Sequence, residues 1–231
     1  MKRSRLILLR HGESLYNRQN LFTGWTDVEL SQRGISQANE AGALLKKAGI
    51  FPDRCFSSWL RRAIHTAQLA LRELEWEQAE ICKDWRLNER HYGAWQQRNK
   101  KEVEAEEGTE RFVAVRRGYE TPPPPLASDD PRHPRFDPKY RHLDPSLLPA
   151  AESLADTRRR VLACYYERIA PLLVRGETLL VSAHGNSLRA LLMAIEGVPP
   201  EEIAGVEIPT GELICYEFDE TLQFLSKRIL K

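Results

Sequence analysis

Two stretches far apart in the chain share one design, and that design restricts the fold more than anything else in the 231 residues. Leu6-Ile7-Leu8-Leu9 is a run of branched apolar residues that stops at Arg10-His11-Gly12, and Leu179-Leu180-Val181-Ser182-Ala183 stops at His184-Gly185. Runs this short and this apolar read as strands buried on both faces. In an open α/β sheet, ligands sit in the crevice outside the carboxyl ends of the strands. Two such strands can therefore point two imidazoles at one spot, and the glycines let the backbone turn sharply and approach a ligand closely. An arginine beside a neutral imidazole suits a phosphoryl group: the guanidinium neutralises its oxygens while a ring nitrogen attacks phosphorus.

The intervening chain reads as strands alternating with helices, which predicts a mainly parallel sheet with helices on both faces. Ser14 to Asp27 is a polar loop holding Ser14, Asn17, Thr23 and Gly24, with Phe22 and Trp25 to pack it down. Ser31 caps a helix whose apolar positions are Ile35, Ala38, Gly42 and Leu45, and Gly49 ends it. Asp53 to Ser57 is a short strand, and Ser57 or Ser58 caps a helix running to about Glu73. Arg62 falls in the first turn of that helix, where backbone N–H groups and the helix dipole favour an anion. Ile81 to Arg86 is a further strand, leading to Glu89, His91 and Tyr92 amid aromatic and basic neighbours. Tyr92 is favoured as a ligand contact, and His91 is left open.

Residues 99–118 read as one charged helix carrying Lys100, Arg116 and Arg117, with Glu102, Glu104, Glu106 and Glu107 offsetting the cations. Nine of the fourteen prolines then fall within Thr121 to Pro149. Because the strand-and-helix pattern resumes afterwards, this reads as an insertion lying over one domain rather than a linker between two. Glu152-Ser153-Leu154-Ala155-Asp156 opens a long helix with a capping box. Asn186 opens the helix after the second His-Gly, and Pro199 to Ala204 is a helical turn. Glu212 to Phe218 and Leu222 to Leu225 form a hairpin at the sheet edge.

Composition narrows the function further. Charged residues are 29% and the formal net charge is +1, so no global field recruits nucleic acid or a membrane surface. An anion site must then be a local cluster. The chain has no apolar run of membrane-spanning length and no room for a signal peptide before the first strand, and its four cysteines lack metal or disulfide spacing. A cytoplasmic protein without a metal is expected. A dinucleotide-binding enzyme is excluded, because no G-x-G-x-x-G follows the first strand.

Arg10-His11-Gly12-Glu13-Ser14 resembles the signature of the histidine phosphatase superfamily. The remainder resembles its 2,3-bisphosphoglycerate-dependent phosphoglycerate mutase branch. The matching runs are Asn20-Leu21-Phe22-Thr23-Gly24-Trp25, Arg62-Ala63-Ile64-His65-Thr66-Ala67, Leu87-Asn88-Glu89-Arg90-His91-Tyr92-Gly93, Asn99-Lys100, Arg116-Arg117, Glu152-Ser153-Leu154, His184-Gly185-Asn186-Ser187-Leu188-Arg189 and Ile208-Pro209-Thr210-Gly211. They keep the family's order across nearly the whole chain. Trp95, Gln97 and Arg98 depart from the family pattern, adding bulk and charge beside the Glu89 segment. The end at Lys231, short of the tail many relatives carry, is expected to give a leakier pocket.

The resemblance implies that His11 is phosphorylated, that His184 stabilises the transferring group, and that Glu89 moves the proton of the sugar-acid hydroxyl. Arg10 and Arg62 would cover the phosphoryl oxygens. Ser14, Asn17, Thr23, Gly24, Tyr92, Lys100, Arg116, Arg117, Gly185 and Asn186 would bind substrate, with the proline-rich insertion as a cover. The implied reaction interconverts 3-phosphoglycerate and 2-phosphoglycerate, primed by 2,3-bisphosphoglycerate, in glycolysis and gluconeogenesis. The partners are then small phosphoglycerates, and a homodimer, since relatives are often dimers. A phosphomonoesterase of the same fold is the first rival. A catalytically silent binding protein is the second, disfavoured because all five catalytic side chains are present.

Overall fold

The computed structural model describes residues 3–231 and places every strand in one six-stranded sheet. In chain order the main elements are β1 (Ser4–Arg10), α1 (Leu15–Arg18), α2 (Gln32–Lys47), β2 (Arg54–Ser57), α3 (Arg61–Glu73) and β3 (Ile81–Lys83). They continue with α4 (Lys100–Glu107), α5 (Thr109–Arg117), α6 (Leu154–Cys164), α7 (Ala170–Val174), β4 (Thr178–Ala183), α8 (Gly185–Glu196), β5 (Leu213–Phe218) and β6 (Phe224–Leu230). The strand order is β3-β2-β4-β1-β5-β6. β3, β2, β4 and β1 are mutually parallel, whereas β5 runs antiparallel to both β1 and β6.

Leu6 to Leu9 are wholly buried because helices cover both faces of β1. Leu6 and Leu8 pack with Val161 of α6 and Leu188 and Leu191 of α8. Ile7 and Leu9 face the other way, onto Ala41 and Leu45 of α2 and Ala67 and Ala70 of α3. Each such side chain contributes about 1.5–3 kcal/mol of burial, so the strands that carry the two histidines are the best-anchored part of the molecule. No helix among the described residues is long and apolar enough to cross a membrane.

Several boundaries differ from the sequence expectation for local reasons. The expected strand over 81–86 stops at Lys83, because the Asp84 side chain accepts the Arg86 amide and caps a 3-10 turn over Trp85–Leu87. The expected helix over 99–118 breaks at Gly108, whose φ of 81° ends α4 and starts α5 at a new angle. The helix after Ser153 keeps its capping box with Asp156 but opens into a π turn over Tyr165–Ile169 just before Pro171. Proline there has no N–H and clashes with the carbonyl four residues back, which the wider turn accommodates. Leu60 rather than a serine caps α3, without a side-chain bond. The helical turn expected at Pro199 to Ala204 narrows to 3-10 over Ile203–Gly205, and the second hairpin strand runs Phe224–Leu230 rather than 222–225.

The proline-rich segment is ordered by its own prolines. Three 3-10 turns begin with Pro134, Pro138 and Pro145, each capped by the side chain just before it: His133, Asp137 and Asp144. The segment closes on itself, since the Leu126 amide donates to the Ala150 carbonyl. Tyr140 and Leu148 bury themselves against Trp25, with Trp59 and Trp85 alongside.

Candidate active site

Adjacent parallel strands deliver the two histidines together. Arg10 and Ala183 are Cα partners in the β1–β4 register, so His11 and His184 are the next residues along each strand. Their rings lie 4.9 Å apart, centroid to centroid, at 61°. His11 Nδ1 is 2.7 Å from the Gly12 carbonyl, so Nδ1 carries the proton and Nε2 keeps its lone pair. Gly12 is required for the turn, because a Cβ there would lie 2.2 Å from the backbone oxygen of Gly34.

Arg62 reaches the free nitrogen. Its Nε donates to His11 Nε2 at 3.3 Å, while Nη1 donates to the Thr26 carbonyl and Nη2 to the Gly24 carbonyl. The guanidinium is thus fixed by the loop that follows α1 before any ligand arrives. Arg10 Nη1 donates to the Ile208 carbonyl, and its Nε has no protein partner. Burial pushes the Arg62 guanidinium down to about 10, which still leaves it charged at neutral pH. Burial, then Arg62 and Arg10, holds His11 well below the usual imidazole range. His184 is likewise held well below it by burial, then Arg62 and His11. Both rings are neutral at pH 7, the state in which Nε2 of His11 can act as a nucleophile.

Glu89 approaches from the segment after β3. Its Oε1 accepts the Arg90 amide at 2.7 Å and the Asn186 amide, at the start of α8, at 3.1 Å. Its backbone carbonyl accepts Trp25 Nε1 and Arg160 Nη2. Oε2 remains free to face the cavity that Glu89 lines.

That cavity is lined by thirteen of the residues proposed from sequence. Arg10, His11 and Arg62 line it, with Glu89, Gly185 and Asn186. Asn17, Thr23, Gly24, Tyr92, Lys100, Arg116 and Arg117 line it as well, the Tyr92 hydroxyl lying 3.3 Å from Asn186 Nδ2. Lys100 lies over the Phe22 ring and Arg116 over Phe112, both rings belonging to a buried cluster with Tyr92 and Trp95. Burial and the repulsion of Arg116 and Arg10 push the Lys100 ammonium down to about 8. Arg117 is paired to Glu207 at 2.5 Å.

Two proposed residues fall outside the lining. Ser14 is buried and its hydroxyl is engaged in the cap of α1, exchanging hydrogen bonds with Asn17. It positions Asn17 rather than facing the cavity. His184 is wholly buried beneath the surface, against His11. The proline-rich segment supplies no lining residue either. It buttresses from behind, where the Tyr140 hydroxyl meets Asn88 Nδ2 and Lys139 pairs with Asp27. His91 is structural: burial pushes it down to about 3, and its ring packs on Trp25. Trp95 is fully buried in the aromatic cluster, not in the cavity, and Arg98 pairs with Glu106 at the surface.

Sequence reasoning overlooked four groups. Arg189 lines the cavity and bonds Asn186 Oδ1 and the carbonyls of Arg117 and Ile203. Arg90 is wholly buried and donates to the Tyr92 hydroxyl and the Arg116 carbonyl. Arg160 pairs with Glu152 and holds the carbonyls of Arg86, Asn88 and Glu89. Glu207 brings a second carboxylate to the rim. In sequence each looks like an ordinary surface charge. The only signal was that Arg90 and Arg189 stand inside matched runs and Glu207 stands next to one. Among the described residues, no group of three or more His, Cys, Asp or Glu is placed to hold a metal ion.

The family model of the histidine phosphatase superfamily (branch 1) matches residues 6–131 and 126–228. The chain is 51% identical over 219 residues to a 2,3-bisphosphoglycerate-dependent phosphoglycerate mutase of Nautilia profundicola, covering 95% of this chain and 96% of that one. It is 50% identical to the protein of the same name from Thermobifida fusca, covering 94% and 88%. A solved mycobacterial glucosyl-3-phosphoglycerate phosphatase in complex with VO3 superposes with a TM-score of 0.69 at 25% identity, covering 92% of each chain.

Proposed function

The chain belongs to the histidine phosphatase superfamily, and on that footing we propose that it interconverts 3-phosphoglycerate and 2-phosphoglycerate through a phosphohistidine on His11, primed by 2,3-bisphosphoglycerate. The reaction is a step of glycolysis and gluconeogenesis. The observation that carries the reading is His11 Nε2: neutral, unprotonated, and already addressed by the Arg62 Nε–H at the floor of a cationic cavity.

Arg10 and Arg62 receive the phosphoryl oxygens, and Lys100, Arg116 and Arg117 receive the far carboxylate and second phosphate. Those distal cations favour a mutase over a simple phosphatase, which needs to hold only one phosphate. His11 Nε2 first takes a phosphoryl group from the bisphosphate primer. In turnover, Glu89 removes the proton of the 2-hydroxyl of 3-phosphoglycerate as that oxygen attacks the phosphorus. The N–P bond breaks and its electron pair returns to Nε2. The bound bisphosphate then turns end for end. His11 attacks the 3-phosphoryl group, Glu89 returns the proton to the departing O3, and 2-phosphoglycerate leaves. A cytoplasmic location accords with this substrate and with the four unpaired cysteines.

The test is a coupled assay from 3-phosphoglycerate to 2-phosphoglycerate, with and without 2,3-bisphosphoglycerate, in the presence of chelator. Primer-dependent turnover that survives the chelator is expected. His11→Ala should abolish both turnover and labelling by the bisphosphate. Free phosphate without 2-phosphoglycerate would establish the phosphomonoesterase instead.

A further inference from the structure

Ser58 follows β2, the strand that flanks β4 on the side away from β1. Ser57 and Ser182 are Cα partners there, so Ser58 lies beside the end of β4 and faces His184. The hydroxyl is wholly buried, with Oγ 2.8 Å from His184 Nε2. It also accepts the Leu60 amide at 3.1 Å. A hydroxyl has one proton to give and two lone pairs. Among the described residues, His184 Nε2 is the acceptor in reach of that proton, and the Leu60 amide uses a lone pair. Ser58 therefore donates to Nε2, which leaves the ring proton on Nδ1. His184 Nδ1 is itself buried and has no partner within the protein. A buried donor left without an acceptor is costly unless a ligand supplies one.

We propose that Ser58 is a positioning residue, locking His184 as the Nδ1–H tautomer so that this N–H donates to the phosphoryl group moving to or from His11. The inference rests on the phosphohistidine reading above and deepens it. A neutral imidazole donates from one nitrogen only. The opposite tautomer would present a lone pair to the phosphoryl oxygens and repel them. A neutral, oriented donor also explains how a ring so close to His11 aids transfer without carrying a charge that would oppose His11. The same logic governs any histidine whose second nitrogen is fixed by a neighbour.

The experiment compares wild type, Ser58→Ala and Ser58→Thr by steady-state kinetics and by 15N NMR of the imidazoles, with the His184 signals assigned by their loss in His184→Gln. Wild type should show Nδ1 of His184 protonated and Nε2 bare. Ser58→Ala should show a mixture of tautomers and a kcat lower by about 10- to 100-fold, the range seen when the group orienting a functional imidazole is removed. KM for 3-phosphoglycerate should stay within about twofold, because the distal cations are untouched. Ser58→Thr keeps the hydroxyl and should restore the single tautomer. Loss of the Leu60 contact alone would lower thermal stability and leave the tautomer and kcat unmoved, which would overturn the proposal. A wild-type spectrum with Nε2 protonated would overturn it directly, even if the threonine variant does not fold. Failure of wild type to take label from the bisphosphate would instead refute the functional reading, which the spectrum does not probe.

Discussion

The Asn186 amide donates to Glu89 Oε1 at 3.1 Å, tying the proposed acid–base carboxylate to the first turn of α8. The Arg90 amide holds the same oxygen, so one carboxylate oxygen is spent on geometry and the other is free for substrate. Glu89→Gln retains a carbonyl oxygen for both amides and loses the proton acceptor. The expected outcome is a kcat lower by about 10²- to 10⁴-fold, with bisphosphate binding unchanged or tighter. Rapid-quench labelling and equilibrium binding check the two halves separately.

Lys100 gives the site a basic limb. Its ammonium sits at about 8 because burial and the charges of Arg116, Arg10 and Arg117 oppose its own. Raising the pH from 7 to 9 removes that charge in the free enzyme, so KM for 3-phosphoglycerate and the primer should rise above about pH 8. Lys100→Arg keeps its charge over this range and should flatten the dependence. Lys100→Gln should show the high-pH KM at every pH.

Acid should destabilise the fold through its buried imidazoles. His11 and His184 lie well below the usual range and His91 at about 3, in each case chiefly from burial. Below about pH 6.5 the unfolded rings bind protons that the folded rings refuse. Stability therefore falls as the pH drops, by roughly 1.4 kcal/mol per pH unit for each ring. Urea titrations between pH 7 and 5 measure the slope, and His91→Gln should reduce it by one ring's share without touching the cavity.

Arg160 joins stability to function. Both its Nε and Nη2 bond the Glu152 carboxylate at 2.7 Å, and its remaining hydrogens hold three carbonyls of the segment that carries Glu89. Arg160→Ala strands a buried carboxylate and should cost about 3–5 kcal/mol. Arg160→Lys should recover little, since one ammonium cannot replace a planar fork with five donors. Urea midpoints with kcat measured on the same preparations give the comparison.

The sequence was most informative where burial leaves few alternatives. The runs ending in His11 and His184 had to be strands, because helices covering both faces demand apolar side chains at every position. Arg62 was legible from its place in a first helical turn. Gly108 was not, because the lysines and glutamates before it and Glu110, Arg111 and Ala114 after it are good helix formers and mask a single break. Strand β6 was misjudged for the converse reason: its residues are nearly all exposed, so no alternation marks them. Ser58, Arg90 and Arg160 owe their roles to neighbours distant in sequence, Arg160 for example to carbonyls more than seventy positions away. Local pattern carries no trace of such contacts.

The β1–β4 register has a final consequence. The nucleophile and its companion ring are clamped to neighbouring rods of the sheet, so no hinge can part them short of unfolding. Lys100, Arg116 and Arg117, by contrast, ride on two short helices meeting at Gly108, outside the sheet. The bonds from Arg90 and Arg189 to the Arg116 and Arg117 carbonyls are what join these helices to the transfer apparatus. Drift in the outer helices can retune which acid phosphate is accepted, while the transfer apparatus stays the same machine.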